Sequence, residues 1–153
     1  MLDTAMIRLL CLLAAPLLVV AAEPGVKAQW IGGTLPGVAP KSSARLDLTG
    51  GEALTLQCGK TAVRIAYAKV NTLEYGQNVS RRYAAAILIS PVLLLSKSRK
   101  HFVTIGYTDS EGKQQALVFR IEKGDIRSVL AALEARTGRR VEYQDAEARK
   151  GKG

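Results

Sequence analysis

Phe102-Val-Thr-Ile-Gly-Tyr107, a break at Asp109-Ser-Glu-Gly112 and a return over Gln115–Glu122 run straight into Asp125–Gly138, and this stretch decides the fold. In the return strand Leu117, Phe119 and Ile121 alternate with Ala116, Val118, Arg120 and Glu122. That is the period of a half-buried strand, with the first set toward the core. Gly112 stands where the turn calls for a positive φ. Lys123-Gly124 reads as the next turn and Asp125 as the N-cap of a helix. Ile126, Val129, Leu130 and Leu133 fall at i, i+3, i+4 and i+7 and share one helical face. Arg136 suits the negative end of the helix dipole, and Gly138 is the natural stop.

Upstream the same alternation recurs in shorter pieces. Leu46 and Leu48, a turn at Gly50-Gly51, and Leu54, Leu56 and Cys58 spell a hairpin. Cys58 lies on the apolar side, as a buried inert thiol does. Gly59-Lys60-Thr61 suggests a phosphate loop, but Leu54 stands where the motif needs glycine and a strand pattern follows, so Gly59-Lys60 is a turn. Val63, Ile65 and Tyr67 form a strand, Ala66–Lys69 bends the chain, and Val70, Leu73 and Tyr75 form another that ends at Gly76-Gln77-Asn78. Residues 23–43 carry Pro24, Gly25, Gly32, Gly33, Pro36, Gly37 and Pro40 and read as a linker or arm, with Trp30-Ile31 as its apolar handle. Arg139–Tyr143 adds a last extended piece, and residues 144–153 read as a disordered tail. The folded domain is therefore expected over 44–143.

Residues 1–22 read as a secretory signal peptide. Arg8 is the positive n-region, Leu9–Val20 the apolar h-region, and Val20-Ala21-Ala22 the small-residue site, with Val26-Lys27-Ala28 as a second site and Met6 as an alternative start. An uncleaved anchor is the competing reading, but Leu9–Ala22 as a helix reaches only about 21 Å of the roughly 30 Å needed to span. The net charge is +9. Loss of 1–22 removes Arg8 and Asp3, keeps that charge, and leaves Cys58 as the only cysteine, so no internal disulfide can form. This charge favours anionic partners such as lipid headgroups, nucleic acid or cell-wall polymers, and export to the periplasm or beyond disfavours nucleic acid; the partner expected is an anionic lipid headgroup or an envelope protein.

The unusual feature is an apolar insertion. Arg81-Arg82 leads into Tyr83–Leu95, which contains Pro91 and is followed by Lys97, Arg99 and Lys100. As a helix, Tyr83–Leu95 would be about 20 Å long, too short to cross a bilayer, and Pro91 would break it. Three readings compete. The run can join the core, dip into a membrane as a loop turning at Ser90-Pro91, or dock on another protein or a second copy. On the dipping reading, Ile87, Ile89, Val92, Leu93 and Leu94 insert. Arg81, Arg82, Lys97, Arg99 and Lys100 then meet one headgroup layer. Alternatively these cations are a solvated rim that guards the apolar run against aggregation.

Catalytic material is scarce. His101 is the only histidine, which excludes paired-histidine zinc motifs. A Cys58–His101 nucleophile pair conflicts with the core-facing position of Cys58, and no serine sits in a G-x-S-x-G turn. No cofactor is expected. Short antiparallel strands, an insertion, a strong hairpin and one terminal amphipathic helix resemble the pleckstrin-homology superfold, in its bacterial PH or GRAM-like variety. Three phrases are similar to uncharacterised exported bacterial proteins of this type: Val70-Asn-Thr-Leu-Glu-Tyr-Gly-Gln77, Leu95-Ser-Lys-Ser-Arg-Lys-His-Phe102 and Leu133-Glu-Ala-Arg-Thr-Gly-Arg-Arg-Val141. The resemblance implies an α+β, mainly β domain, a bent antiparallel sheet or half-open barrel closed by one C-terminal helix. It also implies a non-enzymatic binding module. The expectation is peripheral association with an anionic membrane, with a protein-interaction module, as a homo-oligomer or in an envelope complex, as the alternative.

Overall fold

The computed structural model describes residues 24–77 and 100–144. The expected signal peptide, the apolar run Tyr83–Leu95 and residues 145–153 lie outside the described residues.

Among the described residues eight strands form one sheet: β1 (Val26–Gly33), β2 (Ser43–Asp47), β3 (Ala53–Cys58), β4 (Thr61–Ala66), β5 (Val70–Gly76), β6 (His101–Thr108), β7 (Gln114–Ile121) and β8 (Glu142–Tyr143). A 3₁₀ turn, Tyr67–Lys69, bends the chain between β4 and β5, and helix α1 (Lys123–Thr137) follows β7. The strand order is β4-β3-β2-β1-β7-β6-β5-β8, so the sheet is bent and unclosed. These strands pair antiparallel except at the short parallel β5–β8 contact. The chain is thus mainly β, with one helix among the described residues.

The largest departure from expectation is β1. The sequence reads residues 26–33 as part of a linker, yet they form a central strand paired to β2 on one side and β7 on the other. Glycine and proline density hides the strand. Gly32 and Gly33 lie inside it, and at Gly33 close packing forbids a side chain. A Cβ there would stand 2.5 Å from the Ala116 carbonyl oxygen and 2.6 Å from the Trp30 ring. Trp30 is more than the handle of an arm. It is 1% exposed and sits in the main core with Leu46, Leu54, Phe119 and Leu133.

Helix α1 lays Ile126, Val129, Leu130 and Leu133 on that core. Its N-cap lies three residues earlier than the sequence suggests. Glu122 is the N-cap and contributes no side-chain bond, while Asp125 sits in the first turn, where its charge still favours the dipole. Gly138 ends the helix at φ 67°, its N–H donating to the Glu134 carbonyl at 2.9 Å. Arg136 reaches from the last turn to the Gly50 carbonyl at 2.6 Å and lies 5.7 Å from the Tyr67 ring centre, tying helix, β2–β3 turn and 3₁₀ turn together.

A second correction concerns the opposite face. The alternation places Ala116 and Val118 away from the core, but they are buried, as are Ile31, Glu74, Phe102 and Thr104. The sheet is therefore buried on both faces around these residues, while Lys27, Gln29 and Arg120 on the outer face of β1 and β7 keep contact with solvent. Gln144, the first residue of the expected tail, is tied by its N–H to the Tyr75 carbonyl at 3.1 Å and by its amide to Glu74 at 3.0 Å.

A central β1 predicts that Trp30→Ala lowers unfolding free energy by about 3–5 kcal/mol in urea denaturation. A loose arm would lose less than about 1 kcal/mol.

Candidate functional site

The insertion is rooted on two neighbouring strands. Gly76 at the end of β5 stands opposite Phe102 at the start of β6 in antiparallel register. Paired residues of this kind lie about 4.5–5.5 Å apart, so the intervening chain leaves and returns at one end of the sheet. Of the ten candidate residues, Lys100 is described, half-buried beside this root. Arg81, Arg82, Ile87, Ile89, Val92, Leu93, Leu94, Lys97 and Arg99 lie outside the described residues.

Beneath the root is an aromatic cluster that sequence reading misses. The Tyr75 hydroxyl lies 2.6 Å from His101 Nδ1, and the two rings are parallel within 4°. With the imidazole neutral and Nδ1 unprotonated, the phenol donates. Tyr143 meets Tyr75 edge-on, ring centres 5.9 Å apart, through the β5–β8 register. The cluster fixes the ends of β5, β6 and β8. Its members come from three separate parts of the chain, so no local pattern signals it.

This arrangement does not make a nucleophile. Cys58 and His101 share a rung of the sheet through Ala44, Ala28 and Ile121, but β2, β1 and β7 lie between their strands. Burial pushes the Cys58 thiol up, away from the thiolate. His101 is held below its ordinary 6.5 by burial first and by the Lys123 charge second, against a smaller opposing pull from Glu122. Among the described residues no three His, Cys, Asp or Glu side chains gather as metal ligands would. Asp47 and Asp109 are turn-formers. Asp47 accepts from the Thr49 hydroxyl at 2.7 Å and its N–H at 2.8 Å; Asp109 accepts from the Lys113 N–H at 2.9 Å and the Gln115 amide at 2.7 Å. These bonds hold both carboxyls below their usual range.

The rung that contains the root continues across the sheet. Gly76 faces Phe102, Phe102 faces Arg120, Arg120 faces Gln29, and Gln29 faces Ser43. Its far half borders a groove lined by Lys27, Gln29, Lys41, Ser43, Arg120 and Glu122, with a volume of about 280 Å³. Lys41 has φ 67°, the only positive φ outside glycine among the described residues. That conformation costs roughly 1–2 kcal/mol. It is held by the Lys41 N–H on the Trp30 carbonyl at 2.8 Å and the Gln29 amide on the Lys41 carbonyl at 3.1 Å. The sequence hides these cations because Lys27 and Lys41 fall in the supposed linker. No protein-family model matches the chain, and a search of curated proteins finds no match.

The lowered His101 value predicts an acid-sensitive fold. The unfolded chain takes a proton at about pH 6.5, before the folded one, so stability is full above that pH and falls as the pH drops below it. His101 is the only histidine, and His101→Gln should flatten stability between about pH 7 and 5 in denaturation at stepped pH. An unchanged slope would show that burial and the Lys123 charge do not act on His101 in the folded chain.

Proposed function

We propose that the chain is a non-enzymatic, exported binding module that associates peripherally with an anionic membrane surface. Tyr83–Leu95 supplies the apolar contact. Arg81, Arg82, Lys97, Arg99 and Lys100 meet the headgroups. One observation carries this reading: the register of Gly76 opposite Phe102 returns both ends of the insertion to one end of the sheet. A segment that leaves and re-enters on neighbouring strands brings its two cationic flanks to one layer, as a dipping loop requires. Each cation near an anionic surface contributes about 1 kcal/mol.

The domain itself we read as PH-like. Support comes from two antiparallel meanders joined through β1 and a helix following the last strand of the second. Export rests on the sequence of residues 1–22. Cleavage after Ala22 would leave β1 whole, whereas cleavage after Ala28 would remove Val26, Lys27 and Ala28 from their pairings with β2 and β7.

The test is co-sedimentation of the chain from Glu23, upstream of every described element, with phosphatidylcholine vesicles and with vesicles containing phosphatidylglycerol. Pelleting is expected only with the anionic vesicles. It should weaken strongly at high salt and disappear in Leu93→Asp/Leu94→Asp. No pelleting under any condition, together with a concentration-dependent oligomer, would move the reading to a docking module.

A further inference from the structure

We infer that the groove across β2, β1 and β7 is an anion subsite that takes the phosphate of a lipid headgroup beside the inserted segment. The inference rests on the membrane reading above. Lys27 and Gln29 project from the same face of β1, and Gln29 pairs directly with Arg120 of β7. Lys41, at the approach to β2, closes the third side. Three cations thus face one carboxylate, Glu122, and that carboxylate is engaged by Arg120 at 3.4 Å. Among the described residues, Lys27 and Lys41 have no carboxylate within ion-pair distance. The Ser43 hydroxyl makes no hydrogen bond among the described residues and adds a donor.

Backbone strain points to the same place. Among described residues other than glycine, only Lys41 is held at positive φ, and it lines this groove. Strain retained at a site that glycine would relieve is a pointer to function. The rung Gly76–Phe102–Arg120–Gln29–Ser43 then sets the distance. At about 4.8 Å per strand, Arg120 lies one strand from Phe102 and Ser43 three. The groove is therefore within roughly 15 Å of the insertion root, and both can meet one headgroup layer. At about 30 Å³ per water, its volume holds a phosphate with several waters.

The experiment titrates inorganic phosphate into the ¹⁵N-labelled full chain at constant ionic strength, with chloride as comparison. Saturable shifts are expected at the Lys27, Gln29, Lys41, Ser43 and Arg120 amides. Lys27→Gln/Arg120→Gln should weaken phosphate about twenty-fivefold, near fivefold per cation. Lys41→Gly separates binding from folding, because it removes a cation while relieving the positive φ. It should raise Tm and weaken phosphate about fivefold. A Lys41→Gly chain with higher Tm and undiminished binding would overturn the inference, as would shifts spread unsaturably over all surface cations. Vesicles separate the two ligand sources. If phosphate binds in the groove but the wild-type chain ignores phosphatidylglycerol vesicles, the headgroup assignment and the membrane reading both fall, leaving a free-phosphate site. If the wild type pellets and Lys27→Gln/Arg120→Gln pellets equally, the subsite falls and the membrane reading stands.

Discussion

The double pairing of β1 is the constraint on which the rest depends. The strands β2–β4 form one local meander and β5–β7 another; only β1 bonds to both. Its partners come from opposite ends of the domain, as Ala28 faces both Ala44 and Ile121. The β1–β7 closure is non-local, so it costs loop entropy that the two hairpin series do not. Trp30, central and fully buried, is the side chain whose burial offsets much of that cost. The register shift between Trp30 and Gly32 lets the strand bend where the two meanders meet. Arg136 then locks helix α1 to the first meander across the Gly50 carbonyl and the Tyr67 ring.

Local signals are legible in the sequence and non-local ones are not. The β6–β7 hairpin and the apolar face of α1 can be read because period two and period 3.6 are written in consecutive residues. The 3₁₀ bend at Tyr67–Lys69 and the stop at Gly138 follow from the same local chemistry. The helix start is misplaced because Asp125 is a good cap in isolation, while the chain leaving β7 enters helical geometry at Lys123. β1 is missed for a deeper reason. Gly33 answers to a carbonyl on another strand and an indole folded back against it, and turn statistics read glycine as punctuation.

The candidate site divides in the same way. The apolar run and its flanking cations are contiguous and stand out in the sequence. The groove cations do not, since Lys27 and Arg120 come together through the β1–β7 pairing and Lys41 through its N–H on the Trp30 carbonyl. The Tyr75–His101–Tyr143 cluster likewise needs three strand ends that are distant in the chain. Charge count alone would make the whole basic chain a candidate. Register singles out one rung.

That rung also bears on how binding energy can be used. Unrestrained lysine and arginine side chains lose rotamer freedom when they meet an anion, and that loss offsets much of the Coulomb gain. Arg120, which has a carboxylate partner, starts from a narrower set of conformations. Gln29 is bonded to the Lys41 carbonyl, Arg120 is steered by Glu122, and the rung they share is pinned at its β5–β6 end by the ring pair beneath Gly76. On the membrane reading, the two parts then have different tasks. The apolar insertion supplies most of the partition energy with little selectivity among lipids. The groove cations add less energy but leave the backbone at fixed positions, and a fixed spacing of donors is what distinguishes a phosphate from diffuse negative charge.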